Sequence, residues 1–330
     1  MTVRQLPILT EARLEVLLSA VGSVRVAVIG DVCLDLYWHA DMTRSQLSRE
    51  TPHFPLPIVE ERTSPGGAGN VACNLQALRP KTLTLLGAVG EDWRGQLLAE
   101  ALEARGVACD RLVRAPGRVT NAYIKPLRKG FSDTVYEDPR LDFENDSPLS
   151  EETEKALIRQ LADAAASADV LCVSDQMRFG CVTPKVRQAL CDLGKAGLKV
   201  IVDSRDRIAS YQYAVVKPNE IEASRAAFSA ETDCSPERLA DAAAQLSSRT
   251  GRPALVTLGE RGCLIAEGGF VQWAPACPAK PPLDICGAGD TFLAALALAY
   301  GSGADLAEAA LFANLAASVT VRKVGITGTA

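Results

Sequence analysis

Histidine is scarce in this chain, and an excess of basic charge is missing altogether. There are two histidines in 330 residues, and the ten cysteines are scattered singly and never form C-x-x-C. That combination argues against a zinc site. Several cysteines, such as Cys172 and Cys263, stand in apolar runs, where a thiol behaves as a small buried hydrophobe. A reduced, cytoplasmic chain is the simplest expectation. A formal net charge of −5 argues against nucleic acid as a main partner. No apolar run approaches the roughly 20 residues that a membrane span requires. The N-terminal MTVRQLPILTEARLEVLL lacks a basic region followed by an apolar core and a cleavage site, so no signal peptide is read. Internal repeats, low-complexity tracts and linkers are also lacking. One α/β domain over residues 1–330 is therefore expected, with hydrophobic and charged contents of 48% and 23% typical of a globular protein.

What is present gathers around Leu283 to Tyr300, LDICGAGDTFLAALALAY. A polar, glycine-punctuated turn runs into an apolar stretch, Phe292 to Ala299, that reads as a buried helix. Gly287, Ala288 and Gly289 fall where that helix begins, and their small side chains let a ligand approach the backbone. The first N–H groups of a helix lack internal partners and lie at the positive end of its dipole, which makes an anion site. Asp290 adds a carboxylate beside it. Two negative charges side by side are odd for binding alone. They make sense if the carboxylate takes a proton from a nucleophile that attacks a phosphate. The alternative is a plain helix cap.

A helix with Leu14, Leu17, Leu18 and Val21 on one face leads to a buried strand, VRVAVIG, and then to Asp31 and Asp35 in GDVCLD. In open α/β sheets ligands lie beyond the carboxyl ends of strands, so both acids could accept bonds from sugar hydroxyls. The alternative is a turn-forming Asp31 and a solvated Asp35. Two segments, about 36–64 and 117–143, read as extended strands outside the helix–strand alternation. Together they suggest a small antiparallel sheet, a lid that would exclude water from phosphoryl transfer. Lys125, Arg128 and Arg140 in it read as a solvated strand face, with a substrate phosphate as the other reading. Between the two segments SPGGAGNVACN opens a helix, with Gly66, Gly67 and Asn70 at its start. This is neither a Rossmann fingerprint nor a Walker A loop. After Pro148 apolar strands ending in Asp175, Asp203 and Asn219 alternate with helices, as in a doubly wound sheet.

The pair GGAGN and DICGAGDTF resembles the signatures of the ribokinase-like (PfkB) sugar kinases, over roughly Val24 to Gly328. GDVCLDLYW, RLDFEN and FANLAASVTVRKVGITG are similar to the kinase domain of the heptose 7-phosphate kinases. The resemblance implies a three-layer α/β/α fold with a mainly parallel central sheet and a β lid that pairs subunits into a homodimer. It implies an ATP- and Mg2+-dependent kinase of a sugar or sugar phosphate, first D-glycero-D-manno-heptose 7-phosphate at O1. Another sugar or a nucleoside as acceptor, or a non-catalytic binding regulator, are the alternatives. Asp290 would be the base and the N–H groups of Gly287, Ala288 and Gly289 the anion hole. Asp35, Gly66, Gly67 and Asn70, joined by Asp31, match sugar-binding positions. Asn219 and Glu222 match an N-x-x-E pair that supports magnesium through water. Thr257, Gly259 and Gly262 resemble a turn lining the nucleotide, Asn314 a residue by the adenine, and Asp284 a ligand of the monovalent cation (K+) of many members.

Three departures accompany the likeness. Heptose kinases of this group often continue into a nucleotidyltransferase domain, and no such segment follows here, so action alone or with a separate partner is expected. Ser174–Asp175–Gln176 and TRSQLSRETPHFPLPIVEE differ from the usual acceptor-side segments, which bears on substrate identity. Cys286 replaces a more usual Thr, so alkylation there is expected to inhibit and nucleotide to protect.

Overall fold

The computed structural model describes residues 3–228 and 234–325. Strand β1 (Val3–Gln5), helix α1 (Glu11–Val21), and strands β2 (Arg25–Gly30), β3 (Val32–Asp41) and β4 (Ile58–Gly67) open the chain. Helix α2 (Ala68–Ala77), strand β5 (Thr82–Val89), helix α3 (Trp93–Glu103) and strands β6 (Leu112–Arg114), β7 (Ala122–Lys129), β8 (Val135–Glu137) and β9 (Leu141–Phe143) follow. Then come α4 (Glu151–Ala165), β10 (Val170–Asp175), α5 (Pro184–Lys195), β11 (Lys199–Ser204), β12 (Val215–Val216), α6 (Glu220–Phe228) and α7 (Pro236–Thr250). Strands β13 (Ala254–Thr257), β14 (Cys263–Glu267) and β15 (Phe270–Ala274) and helices α8 (Ala288–Gly301) and α9 (Leu306–Thr320) complete it.

The large sheet has the order β1-β15-β14-β13-β12-β11-β10-β2-β5-β6. Its pairings are parallel except β13–β14 and β14–β15, which are antiparallel hairpin partners. Strand periodicity divides the core in two. In β2, Val26 and Val28 point into one cluster with α1, α2, α8 and α9, whereas Ala27 and Ile29 point into the other with α4, α5 and α7. Helices therefore cover both faces, which is why the strands are continuous apolar runs. The expected three-layer α/β/α arrangement is present.

Local signals set the helix ends. Ser150, Thr183 and Asp305 each accept a bond from the N–H three residues on, capping α4, α5 and α9. Helix α8 is buried from Thr291 through Ala299 because α2 and α9 pack on it and its inner side meets β10. An amphipathic stripe is unnecessary in such a place, and Ala and Leu fill it.

The second sheet runs β4-β3-β7-β8, with β9 also paired to β7. It was expected to be antiparallel, but β3 and β7 pair in parallel from Leu34↔Ala122 to Asp41↔Lys129. The reason is topological: β3 leaves the end of β2 without a hairpin, and the chain returns to β7 only after β4, α2, β5, α3 and β6. The sheet also starts earlier than residue 36, since β3 begins at Val32, one residue past β2.

Candidate active site

The carboxyl end of β2, the starts of α2 and α8 and the second sheet converge on one cleft. Gly67 ends β4 with φ 57°, and a Cβ there would lie 2.2 Å from the Asp31 carbonyl oxygen. Only glycine permits that turn into α2. A Cβ on Gly66 would lie 2.8 Å from Asp35 Oδ2, so the bare backbone faces that carboxylate. One turn into α2, the Asn70 amide donates to Asp290 Oδ2 at 2.6 Å. The bond spans the gap between α2 and α8.

A buried chain of polar groups holds this pair. Asn74 Nδ2 donates to the Asn70 carbonyl at 2.8 Å, and Thr291 Oγ1 donates to Asn74 Oδ1 at 2.7 Å. Thr320 Oγ1 lies 2.9 Å from the Thr291 hydroxyl and can donate to it. These residues are buried, so each bond fixes a group that has no water to turn to. Burial, helped by repulsion from Asp203 and opposed by the Asn70 bond, raises the Asp290 pKa from 3.8 to about 6.

Gly287 caps α8 with φ 77°, a left-handed turn that suits glycine. The Ala288 N–H closes a turn onto the Ile285 carbonyl at 3.2 Å. Of the three N–H groups expected to form an anion hole, that of Ala288 is therefore already engaged. Behind Gly289 lies a residue that the sequence reading passed over. Lys217 is 3% exposed, and its Nζ is 3.0 Å from Asp203 Oδ2 and 4.0 Å from where a Gly289 Cβ would stand. Burial works against its charge, yet Asp203, Glu222 and Asp290 together raise its pKa above the ordinary lysine value. A lysine directly after the buried run AVV was the available signal.

Not every expected residue is where a ligand could use it. Asp31 is 3% exposed, and its oxygens accept backbone N–H bonds from Gln176 (2.8 Å), Met177 (2.7 Å) and Cys181 (2.7 Å). A Cβ on Gly180 would be 2.0 Å from Asp31 Oδ1, so the 176–181 loop is wrapped around the carboxylate. Asp31 thus holds a loop and does not face a sugar. Asp175 is likewise committed, to Arg207, Ser204 and Tyr211. Asp35 is only half-buried and turns toward Lys125, whose Nζ is 3.9 Å away. Lys125 therefore departs from the expected solvated strand face: it reaches into the cleft and lies over the Tyr37 ring. Arg128 and Arg140 do pair with carboxylates of the second sheet's own segment, Asp138 and Asp142.

On the far side of α8 a cavity of about 930 Å³ is lined by Asn219, Thr257, Gly259, Gly262, Ala288, Gly289 and Asn314, among apolar neighbours such as Phe292. Sequence-distant residues named as nucleotide contacts meet there. Their roles are in part structural. Asn219 and Glu222 exchange two bonds of 2.9 Å, backbone N–H to side chain each way, a capping box that starts α6. Asn314 spends its amide hydrogens on the Ala274 and Pro275 carbonyls at 3.1 and 3.2 Å, pinning the cavity wall instead of presenting donors to a base. Asp284 accepts the N–H groups of Cys286 and Gly325, both at 2.9 Å, and so ties the turn before α8 to the C-terminal segment. Among the described residues no group of three or more His, Cys, Asp or Glu side chains could cage a metal ion. The end of the FANLAASVTVRKVGITG stretch, from residue 326, lies outside the described residues.

The cleft that holds Asp290 and the cavity lined by Ala288 and Gly289 thus adjoin at the start of α8. The model of the pfkB family of carbohydrate kinases matches residues 25–330. The chain belongs to that family. It is a phosphotransferase with an alcohol acceptor, and this kinase family uses ATP and a divalent metal. Curated relatives include the bifunctional protein HldE of Gluconacetobacter diazotrophicus, 35% identical over 308 residues, with 92% of this chain and 61% of the relative covered. That of Bradyrhizobium diazoefficiens is 35% identical over 319 residues, with 94% and 62% covered. The chain thus spans about three-fifths of the length of these relatives. Among solved structures, Arabidopsis thaliana ribokinase complexed with ribose and ATP superposes with TM-score 0.67 at 25% identity, covering 92% of this chain and 94% of that one. Escherichia coli phosphofructokinase-2 gives TM-score 0.69 at 22% identity, with 91% and 94% covered, a likeness of fold alone.

No helix among the described residues is long and apolar enough to cross a membrane.

Proposed function

We propose that the chain, as one kinase domain over residues 1–330, transfers the γ-phosphate of ATP to a hydroxyl of a sugar phosphate, first D-glycero-D-manno-heptose 7-phosphate at O1. The observation that carries the reading is Asp290, held at 2.6 Å by Asn70 at the start of a glycine-lined helix and with its pKa raised to about 6. A carboxylate of that strength is still ionised at neutral pH and takes a proton more readily than an ordinary aspartate. Asp290 accepts the hydroxyl proton as the acceptor oxygen bonds to phosphorus and the bond to the β-phosphate oxygen breaks, releasing ADP. The N–H groups of Gly287 and Gly289 and the ammonium of Lys217 face the charge that spreads over the transferred group. Asp35 accepts a second acceptor hydroxyl, and Gly66 and Gly67 let the sugar lie against backbone. Asn70 releases one amide hydrogen to the sugar while it orients Asp290.

The residues present fit a magnesium ion carried in with the nucleotide. Glu222 is raised in pKa by burial and by Asp203, so a cation nearby would relieve crowded negative charge. With no protein cage, the ion would keep waters and phosphate oxygens as ligands, with Glu222 acting through water. Bound there, it neutralises phosphate charge. The residues at Asp284 fit potassium less well, since both carboxylate oxygens already accept backbone N–H groups. A homodimer through the lid accords with its outer face, where Trp38, Leu56, Ile58, Pro126 and Leu141 line an apolar groove. All ten cysteines are unbridged, which supports a cytoplasmic setting.

ATP consumption with magnesium, with and without potassium, against heptose 7-phosphates, fructose phosphates, ribose, fructose and nucleosides tests the reading. Turnover of a heptose 7-phosphate well above the others is the expected result. A preferred acceptor without a phosphate would overturn the sugar-phosphate assignment and keep the kinase. Absence of turnover with ATP still bound would favour a binding regulator.

A further inference from the structure

Asn70, Asn74, Thr291 and Thr320 stand in the packed seam of α2, α8 and α9, where the other buried residues are mostly apolar. Each is at most 2% exposed. Apolar groups of the same shape would pack there at little or no cost in stability, so the polar set calls for another reason.

The bonds between these groups run in one direction. A backbone carbonyl only accepts, so the Asn74 amide turns its nitrogen toward the Asn70 carbonyl, 2.8 Å away. That sets Asn74 Oδ1 against Thr291 Oγ1 at 2.7 Å, where the hydroxyl donates. The Gly287 carbonyl, another acceptor near that hydroxyl, is farther off at 3.2 Å. With its hydrogen given to Asn74, the Thr291 oxygen accepts from Thr320 Oγ1 at 2.9 Å. Asn74 Nδ2 also lies 3.3 Å from Asn70 Oδ1. The Asn70 oxygen therefore faces Asn74, and its nitrogen faces Asp290 Oδ2 at 2.6 Å. Every donor in the series points toward Asp290, and the last acceptor is a carboxylate.

We propose that Asn74 and Thr291 are positioning residues, which lock the Asn70 amide with its N–H toward Asp290 and so hold the base ready for the acceptor hydroxyl. The inference rests on Asp290 being the base, as read above, and adds the residues that act on it through Asn70. With the series broken, the Asn70 amide is free to turn over. Its oxygen would then meet the ionised carboxylate with no hydrogen between them, and the carboxyl would keep its proton to higher pH. The other groups that act on Asp290 are Asp203 on β11, Lys217 after β12 and Asp35 on β3, with the Cys33 thiol on β3 kept protonated by burial. None of them belongs to the series, so substitutions at 74, 291 and 320 leave them in place.

The test is the pH–rate profile for kcat in wild type, Thr291→Val, Thr291→Ser, Asn74→Leu and Thr320→Val, using a sugar phosphate that the wild type turns over. Valine keeps the outline of threonine and removes the hydroxyl. In Thr291→Val and Asn74→Leu the midpoint should move up by about one pH unit, the equivalent of a lost hydrogen bond to a charged group. Turnover should then fall about fivefold at about pH 6 and hardly at all from this cause at about pH 8. Thr291→Ser restores the hydroxyl and should return the midpoint to the wild-type value. Thr320→Val, one bond farther away, should give a smaller shift. A purely structural role predicts lower thermal stability with the midpoint unmoved, and that result in Thr291→Val overturns the proposal even if Asn74→Leu fails to fold. A shift that is as large in Thr291→Ser as in Thr291→Val would overturn it as well. Asp290→Asn is measured first: if it keeps a tenth or more of wild-type turnover, the reading beneath the proposal fails before any positioning variant is made.

Discussion

Replacing Asp290 by asparagine removes the proton acceptor and keeps its shape, so loss of chemistry and change of stability can be read in one variant. Asn70 donates to Asp290 Oδ2, and an asparagine carbonyl oxygen can accept the same bond. Removing a positioned base costs about 100- to 10,000-fold in turnover, and kcat should fall in that range while ATP still binds. Stability should move the other way. The folded value of about 6 lies above the ordinary 3.8, so folding makes this group harder to ionise. Between those two values the folded chain holds a proton that the unfolded chain has lost, and stability falls as pH rises through the interval. Above it the loss is complete. At about 1.4 kcal/mol per unit, discounted for partial contact with water, ionised Asp290 costs the fold about 1–3 kcal/mol at pH 7. Asp290→Asn should recover this above about pH 7, and the gain should fade toward pH 4. Wild-type kcat should rise with pH through about 6, as the base becomes ionised. Urea titrations at several pH values and a pH–rate profile measure both. A variant that keeps a tenth or more of wild-type turnover, or whose stability is lowered equally at every pH, would refute the reasoning.

Lys217→Met should abolish most turnover and also cost about 3–5 kcal/mol, because it strands the Asp203 carboxylate in a buried site. Adding Asp203→Asn should restore the stability and not the turnover, as denaturant midpoints and kcat of the double variant would show. Gly180→Ala puts a methyl group 2.0 Å from Asp31 Oδ1, so the 176–181 loop must shift. A loss of about 1–3 kcal/mol is expected for such overpacking, measured by thermal unfolding. Cys286 is exposed on the turn before α8, so iodoacetamide should inactivate the enzyme and ATP should slow the reaction. Cys286→Ser should be resistant, and inactivation of that variant at the wild-type rate would point to Cys277 in the cavity wall instead.

Much of this was legible in the residues. The apolar strands and the stretch from Phe292 to Ala299 announced themselves because a fully buried element needs no polar face. GAGD and GGAGN located the start of two helices, and α2 and α8 begin there. The strands β1 and β6 were less visible, since three residues carry no period to detect. Asp31 and Asp35 look alike in GDVCLD, yet one is buried under a loop from residues 176–181 and the other stays in the cleft. Nothing local could distinguish them, because the N–H groups that claim Asp31 come from a distant part of the chain. Asn219 and Glu222 were read only as a magnesium-supporting pair, and the fold shows that they also close a capping box at the start of α6.

Near neighbours along the chain were thus enough to show most strands and helices, where backbone lies bare, and which carboxylate stands at a helix start. Those properties depend on near neighbours along the chain. Tertiary structure alone decided that β3 and β7 run parallel and that Asn70 meets Asp290 across 220 residues. It likewise decided that Lys217 lies beneath Gly289 and that Lys125 turns into the cleft. Such facts depend on which buried charges find partners, and partners in a folded chain are set by the packing of whole elements.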